Sequence, residues 1–498
     1  MAEQSAAADV VVVGAGLAGL AAAACLARAG RAVVCLEAQP QPGGQCATLA
    51  EDGFTVDLGP PAIFDRAAVE EAFAAAGARL DAHVRLEELD PAFGVVFPDW
   101  ERVLFHRSVE RTAQELERLC AGDGERYGAL MAWLEMVEPD LAALRARPPR
   151  GGLRDALSAE RRRHPLFHAQ SLRAFLAGRL TGARAVEALS SLVRLDGQEP
   201  DAAPAPAAAA ALRALHRGGA WQVAGGSARL AAGLAAAARG AGVDLRLGAP
   251  VAQILVDGGR AAGVRLASGE TIAARAVVAT PHAGAVYGAL LGDGAPRRAA
   301  RAVAGLEMVG APLQVAFGFQ GDDVPDLALQ FYVPPAQERE DALSRLRGAD
   351  DVYLKGLFMA FACPSVLDPD VAPEDVALAR AIVPVPYRQA LAEWRRLRDR
   401  CADEAIAFAD SRFLPGMRDR VCWRGVFTPQ ATGGLLGLWH RSTAPALTVA
   451  QRGTRRPALR SPYVGGLYLA GRSTHPGPGT ADALRSGLGA AALVQRDS

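Results

Sequence analysis

Residues 9–37 read DVVVVGAGLAGLAAAACLARAGRAVVCLE. The four valines at 10–13 are a β-branched run suited to a strand buried on both faces. Gly14, Ala15, Gly16, Leu17, Ala18 and Gly19 follow as G-x-G-x-x-G and open an Ala- and Leu-rich helical stretch that ends near Gly30. A second strand, residues 32–36, finishes at Glu37. This order is that of a dinucleotide-binding βαβ unit, and each part has a physical task. Gly14 permits the tight turn, Gly16 lets the backbone approach a pyrophosphate, and Gly19 lets helix and strand pack closely. The helix N-terminus presents N–H groups and the positive end of its dipole. Glu37 lies 18 residues beyond Gly19, where a carboxylate accepts bonds from both ribose hydroxyls. A glycine-rich turn alone is a weak sign. With strand, turn, helix, strand and acid in sequence, a merely structural βαβ unit is the lesser reading.

Working outward, Ala38 leads to Gly43, Gly44 and Gln45, and then to GFTVDLGP at 53–60, which carries Gly59 and Pro60. At the other end, residues 466–479 read GLYLAGRSTHPGPG. That is a final buried strand and a turn, followed by a helix over 480–494 that contains SGLGAA at 486–491. The patterns E-x5-G-G, G-F-x-x-D-x-G and T-H-P-G resemble the phytoene desaturase-like (carotenoid desaturase) branch of the FAD-dependent amine oxidase superfamily. The middle of the chain shares the likeness. GAWQVAGGS at 219–227 precedes a helix and strand-like runs at 243–247, 251–256, 262–266 and 276–280, and PSVLDPDVAP stands at 364–373, with Thr428 and Pro429 later. The resemblance touches most of the chain and is tight at both ends and over 219–280. Two positions depart from it. An Arg usually follows the Gly pair in that superfamily, near the flavin phosphates, where this chain has Gln45. Ordinary amine oxidases usually place a Glu after the equivalent of Gly471, where this chain has Arg472.

The resemblance implies an α/β fold with a discontinuous Rossmann-type FAD-binding domain, as in glutathione reductase and amine oxidases, and an interleaved α+β substrate-binding domain. Residues 1–90, 217–290 and 460–498 are expected to form the FAD domain. Residues 91–216, mostly helical by pattern, and 291–459 are expected to form the substrate half. The cofactor would touch Gly14, Ala15, Gly16, Leu17, Ala18, Gly19, Glu37, Ala38, Gly43, Gly44, Gln45, Gly59, Pro60, Val251 (through its backbone, at adenine), Gly471, Arg472, Gly479, Thr480 and Ala481. A helix N-terminus at the flavin pyrimidine ring favours the negative charge that develops there on reduction. His475 and Arg472 are the catalytic candidates. His475 holds the loop or touches reacting groups. Arg472 pairs with a flavin phosphate, neutralises a substrate anion or forms a surface ion pair. Asp482, in the first turn of the last helix, reads first as a capping acid.

Composition narrows the rest. Lys+Arg and Asp+Glu are 54 each, so the chain has no bulk positive charge with which to hold nucleic acid. Half the residues are hydrophobic and 22% charged, which excludes wholesale disorder. The seven cysteines are scattered without a C-x-x-C pair, which suits a reducing compartment and argues against a zinc cluster. No metal site is expected. No basic-then-apolar leader is visible in residues 1–8, and no apolar run is long enough to span a membrane, so the expectation is a cytoplasmic protein. The run at 161–164, RRRH, with Leu166 and Phe167, reads as a solvated helix face and leaves open a peripheral contact with an anionic membrane. Trp423, Trp439 and His440 read as packing residues, with a substrate tunnel as the alternative. Lys355, the one lysine, reads as structural.

No second G-x-G-x-x-G stands on a strand–helix unit, so substrate would reduce the flavin and oxygen or a quinone would reoxidise it. No G-x-S-x-G, H-E-x-x-H or P-loop is present. The expected activity is FAD-dependent desaturation of a lipophilic, carotenoid-like polyene. The alternatives are oxidation of a smaller amine or natural-product intermediate, a flavin-dependent isomerase, or a flavin-free lipid escort, against which the intact motifs at both ends argue.

Overall fold

A computed structural model describes residues 6–146, 163–294, 296–321, 323–347, 353–390, 394–452 and 455–497. The four valines lie in the strand Ala6–Val13, which pairs in parallel with Val33–Leu36 on one side and Thr271–Ala279 on the other. Because side chains alternate across a strand, Val10 and Val12 enter a core with Leu20, Phe73 and Leu234, while Val11 and Val13 enter another with Ile254, Val264 and Val277. Both faces are covered, which is why the run needs no polar alternation.

The sheet runs Val251–Asp257, Arg260–Leu266, Thr271–Ala279, Ala6–Val13, Val33–Leu36, Asp244–Arg246. A seventh strand, Leu467–Leu469, pairs in parallel with the end of Thr271–Ala279, on the edge whose beginning pairs with Arg260–Leu266. Strands from the start, middle and end of the chain therefore finish side by side at Gly14, Thr280 and Gly471. Thr271–Ala279 begins five residues before the expected apolar run, because Ala6, Ala7 and Ala8 extend its pairing.

A second sheet is mostly antiparallel, in the order Val421–Phe427, Leu313–Gln320, Val376–Val383, Met359–Ala362, Leu329–Tyr332, Phe93–Val96, Arg102–Phe105. Its last two strands belong to the segment expected to be mostly helical. Four-residue runs carry too little periodicity to announce themselves, and pairing with Leu329–Tyr332 makes Phe93–Val96 a strand. The other described elements of that segment are helices, notably Asp123–Ala146, Ala183–Leu195 and Ala205–Gly218. The Pro/Gly interruption at 148–152 and Arg161 and Arg162 lie outside the described residues. Arg163 pairs with Asp140 at 2.5 Å, Leu166 is 72% exposed and Phe167 is buried. Among the described residues no helix is long and apolar enough to cross a membrane.

Candidate active site

Gly14, at φ +96°, turns the chain out of the first strand, and its N–H donates to Leu36 O at 2.7 Å. A Cβ on Gly19 would stand 1.9 Å from Gly14 O, and one on Gly14 would stand 2.3 Å from Thr280 Oγ1. Helix and loop are thus in backbone contact, and the Thr280 side chain at the end of the third strand closes against the loop. Gly16 is different. Its φ is −72°, and a Cβ there would meet no protein atom nearer than 3.9 Å. Protein packing does not require glycine at this position, and the missing side chain leaves room for a ligand to reach the backbone. The helix Leu17–Arg28 has no side-chain cap and no acidic residue in its first turn, so its first N–H groups remain available to an anion.

Glu37 is buried. Its Oε2 accepts from Ala15 N–H at 2.7 Å and its Oε1 from Gln39 N–H at 3.0 Å. A carboxylate has about four acceptor sites, so capacity remains on both oxygens. The Glu37 backbone exchanges bonds with Arg246 O (2.9 Å) and Ala249 N–H (2.7 Å), which brings the loop leading to Val251 alongside. Ala38 is exposed.

Gly43 N–H donates to Ala15 O at 3.0 Å, so the Gly43–Gly44 pair leans on the glycine loop. Gln45 then ties the two chain ends together. Its Nε2 donates to Thr443 O (2.9 Å), and its Oε1 accepts from Arg472 Nη1 (3.0 Å). Arg472 Nη2 lies 3.8 Å from Asp196 Oδ1, while its Nε is buried without a partner among the described residues. Behind it, the buried Arg456 donates to the carbonyls of Pro445, Ala446, Arg472 and Thr474. Burial lowers the Arg456 guanidinium to about 10. These bonds pin the turn that follows Gly471, whose own N–H is held by Ser486 Oγ at 2.6 Å.

A cavity of about 1170 Å³ opens beside this turn. Gln45, Gly59, Pro60, Arg472, His475, Gly479, Thr480 and Ala481 all line it. Residues 14–19, Glu37, Ala38, Gly43, Gly44, Val251 and Gly471 do not line it; the glycine loop, Glu37 and Gly471 stand at the strand ends. Arg472 thus lines the cavity and faces the Asp196 carboxylate across it. His475 Nε2 is 2.9 Å from Arg145 O, so that nitrogen carries a proton and donates it. Asp482 Oδ2 accepts from Gly479 N–H at 3.2 Å, the capping role expected of it. A Cβ on Gly479 would be 3.3 Å from Asp482 Oδ2 and 4.0 Å from Asp196 Oδ2, so the two carboxylates converge there. Burial pushes both acids above the usual carboxylate range. For Asp196 the neighbouring Arg472 opposes this, and for Asp482 the Gly479 N–H does.

The loop at 57–60 is held from two directions. Asp57 accepts from Ser227 N–H (3.0 Å), Ser227 Oγ (2.5 Å) and Gly59 N–H (3.0 Å). From the second sheet, buried Arg380 donates to Asp57 O and, at 3.2 Å, to Gly59 O and Gln314 Oε1, while Gln314 Nε2 donates to Leu58 O at 3.2 Å. Sequence reading passed over Arg380, Gln314, Arg456 and Asp196. The available signal was a polar residue inside an apolar strand: VALARAIV for Arg380 and LQVAFGFQ for Gln314. Trp423, Trp439, His440 and Lys355 do not line the cavity. Trp423 stacks on Phe54 at 4.6 Å, Trp439 packs against His440, and Lys355 lies over the Tyr353 ring at 5.1 Å.

An uncapped helix N-terminus, an unobstructed Gly16 and a buried acid with acceptor capacity suit the phosphates and ribose of a dinucleotide. Residues 17–495 match the family described as flavin containing amine oxidoreductase. The chain is 27% identical over 500 residues to the phytoene desaturase (lycopene-forming) of Pseudescherichia vulneris, covering 98% of this chain and 99% of that one. It is 30% identical over 509 residues to the zeta-carotene-forming phytoene desaturase of Myxococcus xanthus, covering 96% and 92%. Among solved structures, the cyclohexylamine oxidase of Brevibacterium oxydans shares the fold, with a TM-score of 0.59 at 17% identity over 98% and 99% of the two chains. The family match runs from Leu17, at the start of the glycine-loop helix, into the last helix, spanning nearly the whole chain: the chain belongs to the flavin-containing amine oxidoreductases and is an FAD-dependent oxidoreductase.

Proposed function

We propose that the protein is an FAD-dependent desaturase of an elongated, lipophilic, carotenoid-like polyene. What carries this reading is the near full-length likeness to relatives named phytoene desaturases, and the cavity supports it. The helix Ala205–Gly218 turns Ala207, Ala208, Ala211 and Ala214 towards the cavity, which Leu192, Pro60 and Ile63 also line. Small apolar side chains leave width for a rod-shaped hydrocarbon and keep water from its C–H bonds.

FAD, when bound, supplies the acceptor for the hydride. The chain's part is to bind, orient and exclude water. In this reading the FAD domain is formed by 1–90, 217–290 and 460–498 and the substrate half by 91–216 and 291–459. Residues 14–19, Glu37 and Val251 hold the ADP portion, with Gly43, Gly44, Gln45, Gly471 and Arg472 along the remainder. Gly59, Pro60, Gly479, Thr480 and Ala481 face the ring system. His475 fixes the turn through Arg145 O, and Arg472 places a positive charge at the reacting end. Asp196 lines the cavity with its side chain 47% exposed, the protein around it raises its proton affinity, and it can hold the proton lost from the neighbouring carbon. Oxygen or a quinone reoxidises the flavin, and the enzyme works in the cytoplasm with peripheral access to a membrane that stores its substrate.

The test is an anaerobic titration of the flavoprotein with an acyclic carotenoid precursor in liposomes. Bleaching of the oxidised flavin band together with a red-shifted polyene spectrum is the expected result. An unchanged flavin band would overturn the proposal and direct attention to amines and smaller cyclic substrates.

A further inference from the structure

Gln45 and Arg472 come from opposite ends of the chain, and both line the cavity. Gln45 Nε2 donates to Thr443 O at 2.9 Å, and its Oε1 accepts from Arg472 Nη1 at 3.0 Å. A carbonyl only accepts and a guanidinium only donates, so these two bonds admit one orientation of the amide. The Arg472 backbone is fixed as well, because the buried Arg456 donates to its carbonyl at 2.7 Å. The guanidinium is thereby held with Nη2 at 3.8 Å from Asp196 Oδ1. That separation is past hydrogen-bond reach but well inside the range of a strong charge interaction.

Asp196 caps the C-terminal end of the helix Ala183–Leu195, where the helix dipole disfavours a negative charge. Two charged groups face it from other elements, Arg472 from the turn after Gly471 and Asp482 from the first turn of the last helix. Asp482 is itself engaged: its Oδ2 accepts from Gly479 N–H, and Arg485, Arg456 and His475 stand around it. Asp196 instead opens on the cavity, with its side chain 47% exposed. The helix end and Asp482 favour its neutral form, and Arg472 opposes them. We propose that Gln45 and Arg472 are positioning residues: Gln45 holds the guanidinium at the distance where it keeps Asp196 ionised without binding it, so that Asp196 takes the proton of the desaturation. This rests on the polyene reading above and deepens it. Of two adjacent C–H bonds in the substrate, one breaks with its electron pair leaving as hydride for FAD. The other breaks with its pair becoming the new C=C bond, and its proton passes to Asp196 Oδ. The substrate loses two electrons, both travel with the hydride, and the neutral Asp196 gives its proton to solvent before the next turnover. A guanidinium in full contact would make the carboxylate too weak a base, and without one it would rest already protonated.

The first arm of the test is a difference-infrared titration of the holoenzyme, in which the carboxyl band missing from Asp196→Asn reports the Asp196 midpoint. Arg472→Gln should raise that midpoint by about one pH unit or more, and Arg472→Lys, which keeps the charge, should leave it near wild type. Gln45→Leu should lower it, because the released guanidinium closes on the carboxylate; this variant is read alone if Arg472→Gln does not fold. The second arm is the pH dependence of anaerobic flavin reduction by an acyclic polyene. The rate should fall on the acid side with the infrared midpoint and move with it in the variants. In Asp196→Asn it should drop by about a hundredfold or more at unchanged flavin content. A midpoint that stays put or moves the other way in Arg472→Gln or Gln45→Leu, or an Asp196→Asn variant as fast as wild type, overturns the proposal and leaves the polyene reading standing. So does loss of bound flavin from both variants with the midpoint unchanged, which would assign the guanidinium to the cofactor. A wild-type flavin that no polyene reduces brings down the polyene reading and the proton-acceptor role with it, while the infrared arm still decides whether Gln45 and Arg472 govern Asp196.

Discussion

Glu37 joins two tasks in one side chain. Its carboxylate satisfies Ala15 N–H inside the glycine loop and retains acceptor capacity towards the ribose. Glu37→Ala would leave that N–H buried and unpaired, a cost of about 1–3 kcal/mol. We expect a lowered unfolding midpoint together with a fall in the flavin-to-protein absorbance ratio; a variant that keeps its full flavin complement would count against the ribose role. His282 offers a pH handle. Its Nδ1 accepts from Gly284 N–H at 3.0 Å, and its Nε2 is buried without a partner among the described residues. Burial, with Arg456 and His440 nearby, lowers its pKa from 6.5 to about 4. The unfolded chain therefore takes up a proton near pH 6.5 that the folded chain refuses until about pH 4. Stability present above pH 6.5 is lost as the pH falls across that window, by about 3 kcal/mol in total. Denaturation midpoints measured from pH 7 to pH 4 should fall less steeply in His282→Asn, which keeps an acceptor for Gly284. Identical slopes would show that other groups dominate.

Close backbone approach governs the elements. The last helix, Thr480–Asp497, crosses the glycine-loop helix at Gly487, where a Cβ would stand 2.1 Å from Ala18 O. Neither backbone can yield without moving the loop that Gly14 and Gly19 close. Gly487→Ala is therefore expected to destabilise by about 1–3 kcal/mol and to weaken flavin retention, read from thermal melts and from flavin released on gel filtration. The clamp of Arg380 and Gln314 acts between sheets. It takes hold of three consecutive carbonyls, at 57, 58 and 59, from strands that face the cavity. Arg380→Met removes donors to two of these carbonyls and to Gln314, and should cost about 3 kcal/mol. Arg380→Lys should recover part of the stability. If Arg380 positions the flavin-facing loop as well, kcat should stay depressed in the Lys variant at wild-type flavin content. A Lys variant with unchanged kcat would confine Arg380 to stability.

Across the whole molecule, the candidate cofactor site is assembled from residues near 14–45, 246–280 and 471–480, which meet only in the folded state. A ligand that binds the native but not the unfolded chain stabilises it by about 2.7 kcal/mol at a hundredfold excess over its Kd. Removing the flavin should therefore lower the melting temperature, and added FAD should restore it in a concentration-dependent way. Apo and holo protein with the same midpoint would mean that the site is not completed by the cofactor. Residues from 138–145, 192–218 and, in the second sheet, Gln314 and Ile382 line the cavity together with residues of 58–71 and 472–489.

Local chemistry made some of this legible in the amino-acid order alone. Glycines that must turn or approach backbone, a β-branched run and an acid at a set spacing act over a few residues, so the βαβ unit and the final strand–turn–helix could be read directly, while FAD as the dinucleotide followed from the resemblance to a known family. Gln45 and Arg472 were each visible as unusual residues, but their mutual bond, across 427 positions, was not. The strands Phe93–Val96 and Arg102–Phe105 carried too short a pattern; the first became a strand beside Leu329–Tyr332, more than two hundred residues away, and the second by pairing with the first. Arg380 on the 57 and 59 carbonyls depends on which side chains folding brings together. Contacts of that kind have no sequence period, and burial and partner count exist only once the chain has closed on itself.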